Sequence, residues 1–298
     1  MPIDNVHDKF FKQSFSRKEL VEGLIEELFP KELSQHIDLA SLEFSNSSYT
    51  DEKLDEYFAD VVYQCNYQND HKVRIALLFE HKSYQEKYPH FQLLRYLLNA
   101  WEQDTKEKRE PVLTIPIIIY HGKTRWKYQP LVQYFKKIDN ELARFLPDFD
   151  YLLFDISQFS DTQILGFRNK FLALSWLLLK NSRTKSYLIN IANSFVELMQ
   201  SVELQGDVNY IKSVFLYTLD TSEHLTKQKI IDIFRSISTQ TANITMSIAE
   251  ALKTEGKTEA TFQFVKGLLK IGMDAATIAL TFDLPRQKVD EIIAQINK

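Results

Sequence analysis

The stretch YFADVVYQCNY (57–67), followed by VRIALLFEHK (73–82), decides how this chain is read. Both segments are rich in β-branched and aromatic residues, and Asn69, Asp70 and His71 between them are turn formers, so the pair reads as a β-hairpin. With Asp70 at the loop centre, Asp60 faces Glu80 directly across the two strands. Side chains alternate along a strand, which places Val73, Ile75, Leu77 and Phe79 on one face and Ala76, Leu78, Glu80 and Lys82 on the other. Asp60, Glu80 and Lys82 then share a face.

Directly opposed carboxylates have Cβ atoms about 4.5–5.5 Å apart and repel, so a cation is expected between them. Mg²⁺ takes one or two carboxylates together with water and phosphate oxygens, and Lys82 is placed to orient or activate a water. In outline this is a site for metal-assisted phosphodiester hydrolysis. The same spacing also suits a wet hairpin face carrying a surface ion pair worth ~0–1 kcal/mol, and spacing alone leaves both readings open.

Of the 298 residues, 44% are hydrophobic and 26% charged, a composition that builds a core and excludes a disordered chain. A net charge of −4 and a pI near 6.0 exclude a chain-wide basic coat, so contact with DNA has to come from a local patch. Cys65 is the single cysteine, which excludes an intrachain disulfide and a multi-cysteine zinc site and fits a cytoplasmic location. The start MPIDNVHDKFFKQ has no apolar core, and the most apolar run, Phe171 to Leu179, is too short to span a bilayer; no membrane role is expected.

Around the hairpin, Ser16 reads as the N-cap of an amphipathic helix through Leu20, Val21, Leu24, Ile25 and Leu28, stopped by Pro30. Its polar face carries Glu19, Glu22 and Glu26, which reach a metal site if that face abuts the hairpin and are otherwise solvated. IDLASLEF (37–44) reads as a strand. Pro89 to Lys108 reads as a helix with Phe91, Leu94, Leu97, Leu98 and Trp101 on its apolar stripe. VLTIPIIIY (112–120) reads as a strand buried on both faces, with Pro116 its awkward feature. Strand, helix and strand in this order imply a right-handed crossover and a parallel pair. After His121 and Gly122, Lys123, Arg125, Trp126, Lys127 and Tyr128 interleave basic and aromatic residues, which suits phosphate contacts with base stacking or a solvated basic loop.

YLLFDI (151–156) reads as a last strand, and from Thr162 onward the periodicity is helical. TEGKTEAT (254–261) reads as a linker or a helix entering a separate tail of three short helices. That tail is like a helix-turn-helix, although its last helix has few residues suited to reading bases. The expected divisions are 1–160, 161–253 and 254–298.

The order helix, strand, hairpin with Asp then Glu-x-Lys, helix, strand resembles the PD-(D/E)XK nucleases. HDKFFK (7–12), IDLASLEF (37–44), DEYFADVVYQ (55–64), LLFEHKS (77–83), LLRYLLNAWE (93–102), PIIIYHG (116–122) and the tail segments EGKTEA and LLKIGMDAATIA look like the Rpn family, recombination-promoting nucleases also filed as transposases. The resemblance implies an α/β, restriction-endonuclease-like core of a mixed sheet flanked by helices, followed by an all-helical C-terminal part. It implies a Mg²⁺-dependent (or other divalent-cation-dependent) DNA endonuclease in recombination, mobile-element or phage-defence biology. Asp60 and Glu80 are then the metal ligands and Lys82 the water-activating residue, with Asp8, Glu22 and His121 as accessory candidates and Lys123, Arg125, Trp126 and Lys127 as DNA contacts. A homo-oligomer is compatible with it. The transposase label implies an RNase H-like site of three dispersed carboxylates, against which the hairpin pair and Lys82 argue. A non-catalytic DNA-binding or protein-interaction module that keeps the fold is the alternative.

Overall fold

A computed structural model describes residues 6–45, 48–50, 58–68, 71–80, 86–122, 124–222, 224–270, 272–282 and 284–296, with the backbone alone at 58, 59, 80, 255 and 256. Asn69, Asp70, Lys82 and Lys123 lie outside the described residues. Helices α1 (Val6–Phe15), α2 (Lys18–Leu28) and α3 (Lys31–Ser34) precede strand β1 (Ile37–Ser45), and β2 (Phe58–Tyr67) and β3 (His71–Glu80) form the hairpin. Then follow α4 (Pro89–Lys106), β4 (Leu113–Tyr120), the short α5 (Asn140–Ala143) and β5 (Leu152–Asp155). The remainder is helical: α6 (Asp161–Leu165), α7 (Lys170–Asn181), α8 (Tyr187–Asn190), α9 (Ala192–Glu203), α10 (Val208–Thr221), α11 (Lys227–Arg235), α12 (Thr239–Lys270), α13 (Ala275–Thr281) and α14 (Arg286–Ile296).

The five strands form one mixed sheet in the order β1-β2-β3-β4-β5, antiparallel from β1 to β3 and parallel from β3 to β5. The expected parallel β3–β4 pair is present, with α4 between its strands in sequence. Pro116 is accommodated because β5 pairs with β4 only from Ile117 onward, so β4 is a free edge on that side at the proline. Gly122 has a steric origin. The Tyr120 ring folds back over it, and a Cβ there would lie 1.9 Å from the phenol oxygen.

Three expectations are corrected. Tyr67 pairs with His71 and Asp60 with Leu78, so the loop centre is residue 69 and Asp60 does not face Glu80 directly. The shift is an even number of residues, which preserves the faces. Second, the face that the alternative reading took as wet is covered where its side chains are described. Ile75, Leu77 and Phe79 are buried, with Phe79 stacked on Phe11 of α1, while Ala76 and Leu78 are buried in a cluster with Leu93, Tyr96 and Ala100 of α4. Third, Ser16 is not a cap: residues from Val6 are already helical, and its hydroxyl donates to the Lys12 carbonyl, while Arg17 occupies the N-cap of α2.

The inward face of α4 also differs from the expected stripe. Leu93, Tyr96, Leu97, Ala100 and Asp104 are buried, whereas Phe91, Leu98 and Trp101 are exposed. Polar anchoring decides the rotation. Asp104, fully buried, accepts from Arg74 Nη1 on β3 at 2.8 Å, from Arg74 Nη2, and from the Val112 amide at 3.1 Å. Burial alone would raise the Asp104 carboxyl; the Arg74 hydrogen bonds and charge, with those from Val112 and Arg109, outweigh it and hold the carboxyl below its ordinary value. A buried carboxylate and guanidinium that meet in this way fix which helix face turns inward, because either one left alone would carry a large desolvation cost.

The chain separates into two compact units, 1–241 and 242–298. Helices α6 to α11 belong to the first together with the sheet, and α7 buries nine consecutive residues from Phe171 to Leu179. The boundary expected at 253/254 falls inside α12, which runs unbroken from Thr239 to Lys270. The second unit has its own small core of Val265, Ile278, Val289 and Ile292. Among the described residues no helix is long and apolar enough to cross a membrane.

Candidate active site

Asp60 sits near the start of β2, on the sheet face covered by α4, and is only 8% exposed. Three protein donors hold its carboxylate: the Ser48 hydroxyl reaches Oδ1 at 2.7 Å, and the Tyr49 amide and Tyr96 hydroxyl each reach Oδ2 at 3.1 Å. The donors are themselves fixed. Tyr49 packs edge-on against Tyr96, the Asn99 side chain donates to the Tyr49 carbonyl at 3.0 Å, and the Arg74 guanidinium lies 5.1 Å from the Tyr49 ring centre. Burial, followed by the charge and hydrogen bond of Asp60, pushes the Tyr96 phenol well above its ordinary range, so it stays a protonated donor.

A carboxylate offers about four acceptor positions, and among the described residues three donors are directed to Asp60. The register places residue 80 opposite Phe58 and diagonal to Asp60, on the same face. Diagonal positions are separated by about 7–8 Å between backbones, so the two residues are not directly opposed, and oxygen donors such as the Asp60 carboxylate are what a hard divalent ion takes. The donor chemistry therefore fits a hard divalent ion. Among the described residues no group of three His, Cys, Asp or Glu side chains converges on a metal position.

Residue 80 pairs with Tyr120, and Tyr120 with Asp155, so one row crosses three strand ends. Asp155 is spent on structure: it accepts from the Trp126 amide at 2.9 Å and from the Ser157 amide and hydroxyl at 3.0 and 2.6 Å. Trp126 is 3% exposed and packs edge-on against Tyr120, so it cannot serve as the expected stacking platform; Arg125 and Lys127 beside it are exposed.

The accessory candidates separate. Glu22 pairs with Lys18, which also donates to the Ala40 carbonyl, and its charge acts on Tyr63, a residue of the opposite sheet face; it is not brought to Asp60. Asp8 lies one turn from Phe11 on the same side of α1, and Phe11 stacks on Phe79. This directs the first turn of α1 toward the end of β3. His121 is buried there, its ring 4.7 Å from Phe79 and 4.8 Å from His7. Ser48, Tyr49 and Tyr96 were not legible as site residues, although Tyr96 and Asn99 stood three apart inside the LLRYLLNAWE segment, polar groups on a face that turned out to be inward.

The sheet, its helical layers and the buried carboxylate at a strand end make this a mixed α/β protein consistent with a nuclease-like core. A family profile described as "Putative transposase, YhgA-like" matches residues 5–209, and the chain belongs to that family. It is 27% identical to recombination-promoting nuclease RpnA of Escherichia coli K12 over 91% of both chains. It is 27% identical to recombination-promoting nuclease RpnD of Escherichia coli O157:H7 over 84% of this chain and 94% of that one. It is also 28% identical to a protein of Escherichia coli K12 named inactive recombination-promoting nuclease-like protein RpnE, over 84% of this chain and 82% of that one. No solved structure matches.

Proposed function

We propose that this protein is a metal-dependent DNA endonuclease with a PD-(D/E)XK core, acting in recombination, mobile-element or phage-defence biology. The observation that carries the reading is the state of Asp60, a buried carboxylate locked by three donors and one diagonal step from the position of Glu80. Two relatives named recombination-promoting nucleases, each matched over most of its length, support a nuclease or recombination role.

Asp60 and Glu80 would hold a Mg²⁺ or similar divalent ion, which when bound neutralises charge on a phosphodiester and acidifies water. Asp60 contributes a fixed ligand, since Ser48, Tyr49 and Tyr96 set its orientation before any ion arrives. Lys82, two residues beyond Glu80, orients the attacking water or takes its proton. Arg125 and Lys127, exposed near the end of β4, contact the DNA backbone. The protein works in the cytoplasm, a homo-oligomer is compatible with this arrangement, and the unit 242–298 tunes cleavage and does no chemistry. A non-catalytic reading draws on the relative named inactive, which is as similar as the others.

Supercoiled plasmid with Mg²⁺ tests the assignment. Asp60→Ala and Glu80→Ala abolish nicking, while Lys82→Ala abolishes or strongly reduces it and keeps metal binding. Lys82→Gln separates the two roles of the lysine: retained activity assigns positioning, because the amide can hold a water without taking its proton. Nicking at the wild-type rate by all four variants would place the site elsewhere, and a wild-type protein inert with every divalent ion would support the non-catalytic reading.

A further inference from the structure

A cavity of about 270 Å³ lies where the first turn of α1, the loop after α7 and the end of α10 meet. Its ionisable lining is His7, Arg183, Lys185, Asp220 and His224. Arg183 is the unusual member. It is half-buried, its Nη2 lies 3.5 Å from His121 Nε2, and its Nε is buried with no hydrogen-bond partner. Among the described residues no carboxylate pairs with it. Burial lowers its pKa, and the groups that oppose this are the phenols of Tyr217 and Tyr120.

A guanidinium taken out of water without a counter-charge is costly, and its donor fork is built for a planar pair of anionic oxygens. The surroundings add a second cation, Lys185, exposed on the same loop, against the exposed carboxylate of Asp220, while His7 and His224 line the walls. The loop carries backbone strain as well, since Ser186 holds a φ of 54°, a conformation that costs a non-glycine residue free energy and tends to persist at functional sites.

We propose that this cavity is a phosphate-binding site anchored by Arg183 with Lys185 as its second cation, and that on a nucleic acid it holds a phosphate flanking the one cleaved. The second half rests on the nuclease reading above. Its basis is position: Arg183 and His7 both touch His121, the residue after Tyr120, and Tyr120 is the register partner of Glu80. The shared chemistry is a phosphate group, supplied by a DNA strand or as a free anion.

The test uses the full chain in EDTA, so that nothing is cleaved. Inorganic phosphate, against chloride at equal ionic strength, should raise the melting temperature of the wild-type protein and of Asp60→Ala alike. Arg183→Gln should weaken phosphate binding about tenfold or more, with Arg183→Lys intermediate. Lys185→Ala, at an exposed side chain that folding does not need, should weaken it severalfold. A short DNA strand should compete with phosphate, and its affinity should fall with the same variants. If phosphate acts no differently from chloride, or Lys185→Ala and Arg183→Lys leave its effect unchanged, the site is overturned whatever the plasmid assay gives. If phosphate binds but DNA does not compete, the site stands for a free anion and the DNA half is overturned.

Discussion

The Arg74–Asp104 pair makes a quantitative claim that can be tested apart from any catalysis. Asp104→Ala leaves the Arg74 guanidinium, 1% exposed, in the core with no carboxylate. Removing one partner of a buried pair costs about 3–5 kcal/mol, because the remaining charge is uncompensated. The orphaned Val112 amide, which donates to Asp104 at 3.1 Å, adds about 1 kcal/mol. For a unit of this size, the resulting loss of about 4–6 kcal/mol corresponds to a fall in Tm of roughly 10–20 °C. Arg109→Ala should cost far less than Asp104→Ala, since that arginine is exposed and its contribution is screened by solvent. The double variant Arg74→Met/Asp104→Leu should return to within about 2 kcal/mol of wild type, because packed apolar residues carry no desolvation penalty. Urea unfolding followed by tryptophan fluorescence is the assay: Trp101, Trp126 and Trp176 are the only tryptophans, and all lie in the unit 1–241. A loss below about 1 kcal/mol for Asp104→Ala, or a double variant as unstable as the single one, would refute the account of how α4 is docked.

Three further outcomes are expected. Tyr96→Phe removes one donor from Asp60 while keeping the ring, so it should cost about 1.5–3 kcal/mol, the range for a hydrogen bond to a charged group, and slow nicking; unchanged stability and rate would show that the phenol does not hold the carboxylate. His7, pushed down to about 4 by burial and by the Arg183 charge, takes its proton more readily in the unfolded chain, so stability should rise with pH between about 4 and 6.5. The total, about 3 kcal/mol, should be missing from a His7→Gln difference curve. Ending the chain at Lys253 removes Val265, Ile278, Val289 and Ile292, the core of the second unit, and should leave metal-dependent nicking measurable; its complete loss from a folded truncation would give that unit a part in the chemistry.

The hairpin and the parallel strand pair were legible because local signals carry them: β-branched runs, turn residues, and a helix between two strands. Register was harder. The loop centre differs by one residue, since the turn begins at Gln68, which takes a φ of 42°, and only parity saved the assignment of faces. The face of α4 was misread because apolarity was counted while a buried ion pair and a hydrogen bond to Asp60 set the rotation. Trp126 looked like a stacking residue in a basic loop, yet the Asp155 hydrogen bond to its amide draws the segment down onto Tyr120. The association of Arg183 with His7 and His121 joins parts of the chain far apart in sequence, and no local pattern announces it. Asp60 itself was found by spacing, but its three donors depend on tertiary contacts that spacing does not encode.

The central claim, that Asp60 and Glu80 together hold a divalent cation, is tested most directly by a crystal soaked in Mn²⁺ and measured at the manganese absorption edge. The account predicts an anomalous peak about 2.1–2.3 Å from a carboxylate oxygen of each residue, with the Tyr49 and Tyr96 hydrogen bonds to Asp60 retained and the peak lost from Asp60→Ala crystals. A peak at another cluster, or one at this place that survives Asp60→Ala, would contradict it.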